Sequence, residues 1–454
     1  MSPGHPASQG PGARLQRVAA AAMLAFSLVG VAGGARAQSL QELYEAARAF
    51  DATFLAARAQ AQSAEYRAAQ ADALSRPSLS ATAGATTTTI SPPVGPTGDS
   101  NTLNASLQGR LPLLNRANTA TQEQARRALL VAKAEFETAE QDLIVRVAAA
   151  YFDVLAAQDT LATTRASKTF ITEQLASAKR NFEVGTATIT DTREAQARFD
   201  LATAQEIAAD NDLRAKRIAL DTLVGRNGVA PKPLVVPVVL PALAPTDPEA
   251  WVGNADARHP TIRRAQAGLE VASLEIERAK AAEGPTLDAV ASVGAAKYSG
   301  RYPSSLPSST PWRTASIGLQ FNMPLYTGGA TGNRIQETQS LEEKARQDLA
   351  AARRGVAQGT RVAFFGVQSG QARVLALEAA EASSKLALEA TQLGYRVGVR
   401  VNLDVLNAQT QLFSTQADLA RARYDVLVGG LRLRQASGQL VPGDVEAVNR
   451  MLAK

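Results

Sequence analysis

Residues 113 to 184 contain neither glycine nor proline, a run of 72 positions rich in Ala, Leu, Gln, Glu, Arg and Lys. Helix propensity is high throughout and nothing interrupts it. The run therefore predicts one helix of about 100 Å at a rise of 1.5 Å per residue, several times the roughly 30 Å core of a bilayer. Val147, Val154, Leu161, Leu175 and Phe182 fall on one seven-residue register, with only Lys168 polar, and Ile144, Tyr151 and Leu155 lie beside that seam. A repeat of seven implies a left-handed supercoil against neighbouring helices. Gly185 breaks the run, and residues 186 to 224 are again free of both breakers. This second helix is too short to return the whole way.

The pattern occurs twice. Leu111-Pro112-Leu113-Leu114 returns as Met323-Pro324-Leu325-Tyr326, and Phe182-Glu183-Val184-Gly185 returns as Tyr395-Arg396-Val397-Gly398. Arg76-Pro77-Ser78-Leu79 corresponds to Gly284-Pro285-Thr286-Leu287. Near-constant offsets at separated landmarks indicate a tandem duplication. Each half then reads helix, hairpin, long helix, return helix. The first repeat spans 38–225, with a helix from Asp51 as N-cap to about Arg76, a hairpin at 78–114, a long helix at 115–184 and a return helix at 190–224. Its strands are Ser78 to Ile90 and Asn101 to Leu114. The second spans 261–437, with a helix, a hairpin at 286–326, a long helix at 330–396 and a return helix at 402–437. Segments 226–260, with six prolines from Pro231 to Pro248, and 438–454 fit neither helix nor strand of the cylinder and suggest an equatorial belt. Stacking the first helix end to end with the return helix makes up most of the missing length. The result is a cylinder with both hairpins at one end and both turns at the other.

The hairpins alternate. Leu103, Ala105, Leu107 and Leu111 take turns with Asn104, Ser106, Gln108 and Arg110, and Ala315, Ile317, Leu319, Phe321 and Met323 with Ser316, Gly318, Gln320 and Asn322. A transmembrane barrel needs this period over about ten residues, and a soluble sheet packed on a core shares it. The extended helices offer no such core, which favours the barrel. Four strands cannot close one, since even the smallest has about eight. The chain must oligomerise, and the residues alone leave two, three or four copies open.

The first 37 residues read as a signal peptide, with Arg14 and Arg17 before an apolar stretch from Val18 to Val31 and Ala35-Arg36-Ala37 at the cleavage site. Its removal lowers the net charge from +6 to +3, because Arg14, Arg17 and Arg36 leave with it. That is too little, and too evenly spread, for a nucleic-acid partner. The chain has no cysteine, hence no acceptor for an N-terminal lipid, and its histidines are His5 and His259. This rules out a Cys/His pair and a multi-histidine zinc site. No nucleophile elbow or phosphate loop occurs, and no apolar run after the signal is long enough for a transmembrane helix. No catalytic residue, metal or cofactor is expected.

With its repeated strand-to-helix junctions (111–114 and 323–329) and helix-turn motifs (182–191 and 395–406), the chain resembles the TolC family of outer-membrane efflux proteins. The resemblance covers nearly the whole chain after residue 37. It implies a mixed α/β membrane protein: a homotrimer whose twelve-stranded transmembrane β-barrel continues into a long periplasmic α-helical tunnel. It also implies docking to a periplasmic adaptor and an inner-membrane RND, ABC or MFS-type transporter, outer-membrane lipid around the barrel, and export of drugs or of proteins by a type I system. By resemblance, Asp404 matches the constriction acid, Arg400 and Tyr395 the side chains that restrain the closed end, and Thr190 and Asp191 their partners. Asn407 stands where well-known members carry a second acid, which predicts weaker block by multivalent cations. Ringed carboxylates select cations, but Asp191 and Asp404 also suit helix N-termini, and both roles are compatible. Gly185 and Gly398 suit a reversal of direction that needs positive φ. The turns Val184-Gly185-Thr186 and Val397-Gly398-Val399 are candidate adaptor contacts. A periplasmic adaptor would also be exported and helical, but such proteins lack the duplication. A secreted enzyme on a helical scaffold is the third reading.

Overall fold

The computed structural model describes residues 37–453 apart from 92, 95, 96, 236 and 301–310. The expected signal peptide lies outside that range, except for residue 37. Helix α1 (Leu40–Phe50) opens on a reciprocal cap: the Ser39 hydroxyl accepts from Glu42 N, and the Glu42 carboxylate accepts from Ser39 N. Asp51 closes α1 and caps α2 (Ala52–Asp72) by accepting from Phe54 N. A 3-10 turn at Ala73–Ser75 then leads to the sheet, so the helix expected to reach Arg76 stops short of it. After strands β1 (Ser78–Ile90) and β2 (Gly98–Leu114), α3 (Arg116–Glu183) runs for 68 residues and α4 (Ile189–Val224) returns over 36. The second half holds α5 (Pro248–Arg258), α6 (Pro260–Ala281), β3 (Thr286–Gly300), β4 (Pro311–Asn322), α7 (Ala330–Arg396) and α8 (Asn402–Ala436). A short α9 (Gly443–Asn449) follows.

Two columns form in each repeat. Helix α4 ends at Gly225, which has φ of 71° and lies so close to Phe50 that a Cβ would sit 2.3 Å from its ring. Its end therefore meets the α1–α2 junction, and α2 continues the column beside α3. Helix α8 ends in the same way, with Gly438 against His259, and His259 caps α6 by accepting from Thr261 N through Nδ1 at 3.1 Å. Helix α5 is thus the counterpart of α1, each 11 residues long. This corrects the reading that no part of 226–260 fits a helix of the cylinder, for Pro248–Arg258 alone. Asp247 caps α5 and Pro248 occupies its first turn, where the missing N–H costs nothing. Helix α9, in segment 438–454, packs Val445 and Val448 on the mid-height core.

The core sits at mid-height. Leu40, Leu43, Tyr44 and Phe54 pack against Leu143, Ile144, Val147, Tyr151, Phe152 and Val154 of α3, with Leu220, Leu431, Leu440 and Val445 closing round them. Segment 226–247 and the end of the chain cover this core, joined by an antiparallel bridge between Leu234 and Leu452. The Tyr151 hydroxyl donates to Lys232 O at 2.9 Å, and the Tyr424 hydroxyl of α8 donates to Asp159 of α3 at 2.5 Å. Burial pushes the Asp159 carboxyl up, while the Tyr424 bond opposes that. Lys168, the polar break in the apolar seam, pairs with Glu206 of α4 at 2.9 Å and lies over the Phe199 ring. Its charge, with that of Arg165, holds the Glu206 carboxyl below the usual range.

The four strands form one antiparallel sheet in chain order. Ala81, Leu107, Val293 and Ala315 make one row across it, and Thr82, Ser106, Gly294 and Thr314 the next. Over these rows each face keeps one polarity. Hydroxyls cross-link the polar face at Thr82–Ser106 and Ser292–Ser316, both 2.8 Å. β4 ends at Asn322, short of the expected 326, because Pro324 has no N–H to donate to a ladder.

Candidate functional site

At the end remote from the sheet, the two turns share one backbone solution. Gly185 N donates to Phe182 O and Thr186 N to Asn181 O; Gly398 N donates to Tyr395 O and Val399 N to Gly394 O. These paired bonds require a left-handed residue just past the helix end. Gly185 and Gly398 supply it at φ of 80° and 79°. No atom lies within 4 Å of where a Cβ would stand on either, so conformation and not space demands glycine. The turns expose apolar tips, with Val184 at 73% and Val399 at 78% of full exposure and Val397 exposed beside it. Thr186 is exposed as well, its hydroxyl donating to Asn181 O.

The two aspartates behave differently. Asp191 sits in the first turn of α4, where its carboxylate accepts from Thr188 N at 2.9 Å while the Thr188 hydroxyl accepts from Asp191 N. It is committed to a capping box. Asp404 has the same place in α8, but Val401 at the N-cap offers no side-chain acceptor. Its carboxylate faces Arg400 at 3.6 Å. Within one protomer Arg400 thus pairs from the turn onto the first turn of α8, and Tyr395 accepts from Asn181 Nδ2 at 3.4 Å. Neither meets Thr190, which is exposed, or Asp191.

Asn407 has a partner that sequence reasoning missed. Arg198 of α4 donates through Nη2 to Asn407 Oδ1 at 3.0 Å. Beside this bond Ile171 of α3, Ala202 of α4 and Leu406 of α8 form one cluster with Phe170 and Phe199. Both α4 and α8 flank α3, and in a one-layer cylinder helices on opposite sides of a third do not meet. Here they do, so α4 and α8 converge over α3 near the turns. The signal for Arg198 was its place two helical turns after Asp191, but only the fold brings that position to Asn407. Among the described residues no group of three or more His, Cys, Asp or Glu could hold a metal ion.

At the other end nothing covers the apolar face of the sheet. Leu79, Ile317 and Leu319 are 76%, 88% and 69% exposed, and β1 and β4 have free edges. Among the described residues no helix is long and apolar enough to cross a membrane. The sequence profile of the outer membrane efflux protein family matches twice, over 43–226 and 251–439. The chain belongs to that family. The two matches coincide with the two structural repeats. Outer membrane protein TolC of Vibrio cholerae is 31% identical over 417 residues, covering 91% of this chain and 93% of that protein. Alkaline protease secretion protein AprF of Pseudomonas aeruginosa is 34% identical over 70% of this chain and 66% of its own length. The solved structure of the outer membrane protein VceC of Vibrio cholerae aligns with a TM-score of 0.74 over 88% of this chain and 96% of its own, at 21% identity. At that identity the likeness concerns the fold. This efflux protein is an outer-membrane protein, and the adaptor alternative finds no support.

Proposed function

We propose that three copies of this chain form an exit duct of tripartite efflux or type I secretion systems. The carrying observation is an apolar sheet face with nothing on it and two unpaired edges, set above helices about 100 Å long. Unpaired edges invite another strand, so β4 of one copy pairs with β1 of the next. Helix α3 has neighbours on both flanks, whereas α7 packs along its length mainly on α5, α6 and α8. Its other flank fits the open side of α2 and α4 in the next copy. Such a head-to-tail contact closes into a ring. Twelve strands then present Leu79, Ile317 and Leu319 to lipid and the hydroxyl face to a wet lumen.

In this reading the turn end is the gate. Helix α8, held across α4 by Arg198 and the Leu406 cluster, narrows the lumen where Asp404 and Asn407 form rings in three copies. The exposed valines of both turns contact a periplasmic adaptor, which draws α8 back towards the wall, and an RND, ABC or MFS-type transporter delivers cargo from below. The reading gives the chain no enzymatic role. The similarity to AprF, named for protease secretion, favours exported protein as one cargo class. The test is fractionation with conductance: the mature protein should enter the outer membrane, run as a heat-modifiable trimer and conduct ions in a planar bilayer. A monomer that stays soluble without detergent and does not insert would end the reading.

A further inference from the structure

The apolar face of the sheet carries two cations whose position the duct alone does not explain. Lys297 of β3 and Arg313 of β4 share it with Ala291, Val293, Ala315 and Ile317. Both are exposed, and neither makes an ion pair among the described residues. The charges of the opposite face are paired instead, Arg110 with Asp288 at 2.6 Å. Arg313 is opposite Ala295, two residues from Lys297, a diagonal of roughly 7–8 Å that lets two long side chains converge. From Met323 to Arg313 the strand rises by roughly 34 Å. Tilted by about 40°, it crosses about 25 Å, the height of the apolar band on a transmembrane barrel. The pair thus stands at the upper rim of the band, at the end away from the helices. Asp99 is the acid of the same face. It lies four residues beyond Leu103, which is paired with Lys297, and accepts from Thr89.

Placed on the lipid side at the outer rim, a lysine and an arginine extend to the headgroup level and meet anionic groups there. We propose that Lys297 and Arg313 form a binding site for a phosphate on a glycolipid of the outer leaflet, one site per subunit. Arginine supplies a planar fork for two phosphate oxygens and lysine a point charge, while Val293, Ala315 and Ile317 below accept acyl chains. The site rests on the reading of the chain as an outer-membrane duct.

The test uses the purified, delipidated trimer in detergent, titrated with diphosphoryl lipid A, with dephosphorylated lipid A, and with inorganic phosphate as competitor. The wild type should bind the phosphorylated lipid about thirtyfold more tightly than the dephosphorylated one, the sum expected for two cations at an anionic surface. K297Q/R313Q should abolish that preference, and K297R/R313K should keep it. Equal binding of both lipids by the wild type, or an unchanged preference in K297Q/R313Q, overturns the site. So does full displacement of the lipid by millimolar phosphate, which would mark a free-anion site. Trimer formation and conductance of the same samples are read in parallel. Their loss in the wild type would strike the duct reading, whereas their retention without a lipid preference strikes only this site.

Discussion

Replacing Arg198 with alanine should loosen the closed end. The side chain makes one bond from α4 to α8, Nη2 to Asn407 Oδ1 at 3.0 Å. A hydrogen bond from a charged donor contributes about 1.5 kcal/mol or more when shielded, and solvent at this exposed site lowers that to about 0.7 kcal/mol. Three subunits opening together would add these to about 2 kcal/mol, or roughly thirtyfold in the ratio of open to closed states. The cluster of Ile171, Ala202 and Leu406 is untouched by the substitution, so the variant should flicker open without staying open. Single-channel recording in planar bilayers reads this directly: Arg198→Ala should show a higher resting conductance and more frequent openings, with Arg198→Lys in between. Equal resting conductance of Arg198→Ala and wild type would refute the reasoning, because contact between α4 and α8 would then not restrain the gate.

Other outcomes follow from the same geometry. Asn407→Asp should strengthen block by di- and trivalent cations, and Arg198→Ala/Asn407→Asp should strengthen it further, since the new carboxylate would otherwise face Arg198; dose–response curves in planar bilayers decide. Arg146, with Asp142 nearby, faces Asp51 at 2.8 Å and holds its carboxyl down at about 2 from an ordinary 3.8. Stability from Asp51 is therefore complete above pH 4 and lost between about pH 4 and 2; with Arg146 a third exposed, Asp51→Ala should cost about 1–2 kcal/mol at pH 7 and little at pH 2, read by thermal unfolding of the trimer. Tyr424→Phe removes the bond that opposes the raised pKa of Asp159. A raised carboxyl stabilises the folded state below its unfolded pKa and loses that contribution as pH rises, so the Tyr424→Phe penalty, about 1–2 kcal/mol, should be larger at pH 8 than at pH 5 in the same assay.

Much of the architecture is legible because its signals are local. A run of this length without glycine or proline favours one helix, and Arg116–Glu183 begins and ends within a residue or two of what its flanking breakers predict; Ala330–Arg396 carries glycines inside it, and there the repeat of the first half's landmarks is what marks the helix. The missed helices failed for local reasons too. Ser39-Leu40-Gln41-Glu42 carries the capping-box spacing, but directly after the leader no breaker sets it apart as a helix start. Asp247-Pro248 lies in a proline-rich segment that reads as irregular, although proline in a first helical turn is favourable. The proposed gate shows the opposite case. Asp404 and Asn407 are marked by their place after a turn, but which side chain faces which depends on where α8 crosses α4. That crossing brings together Arg198 and Asn407, 209 residues apart, and it is set by apolar contacts on a third helix. The polarity of those residues in the sequence is compatible with α8 lying in the wall or across it. A helix that adopts both positions, as the proposed gate requires, cannot have a sequence that specifies only one, so on that proposal the least legible part of the chain is the part that moves.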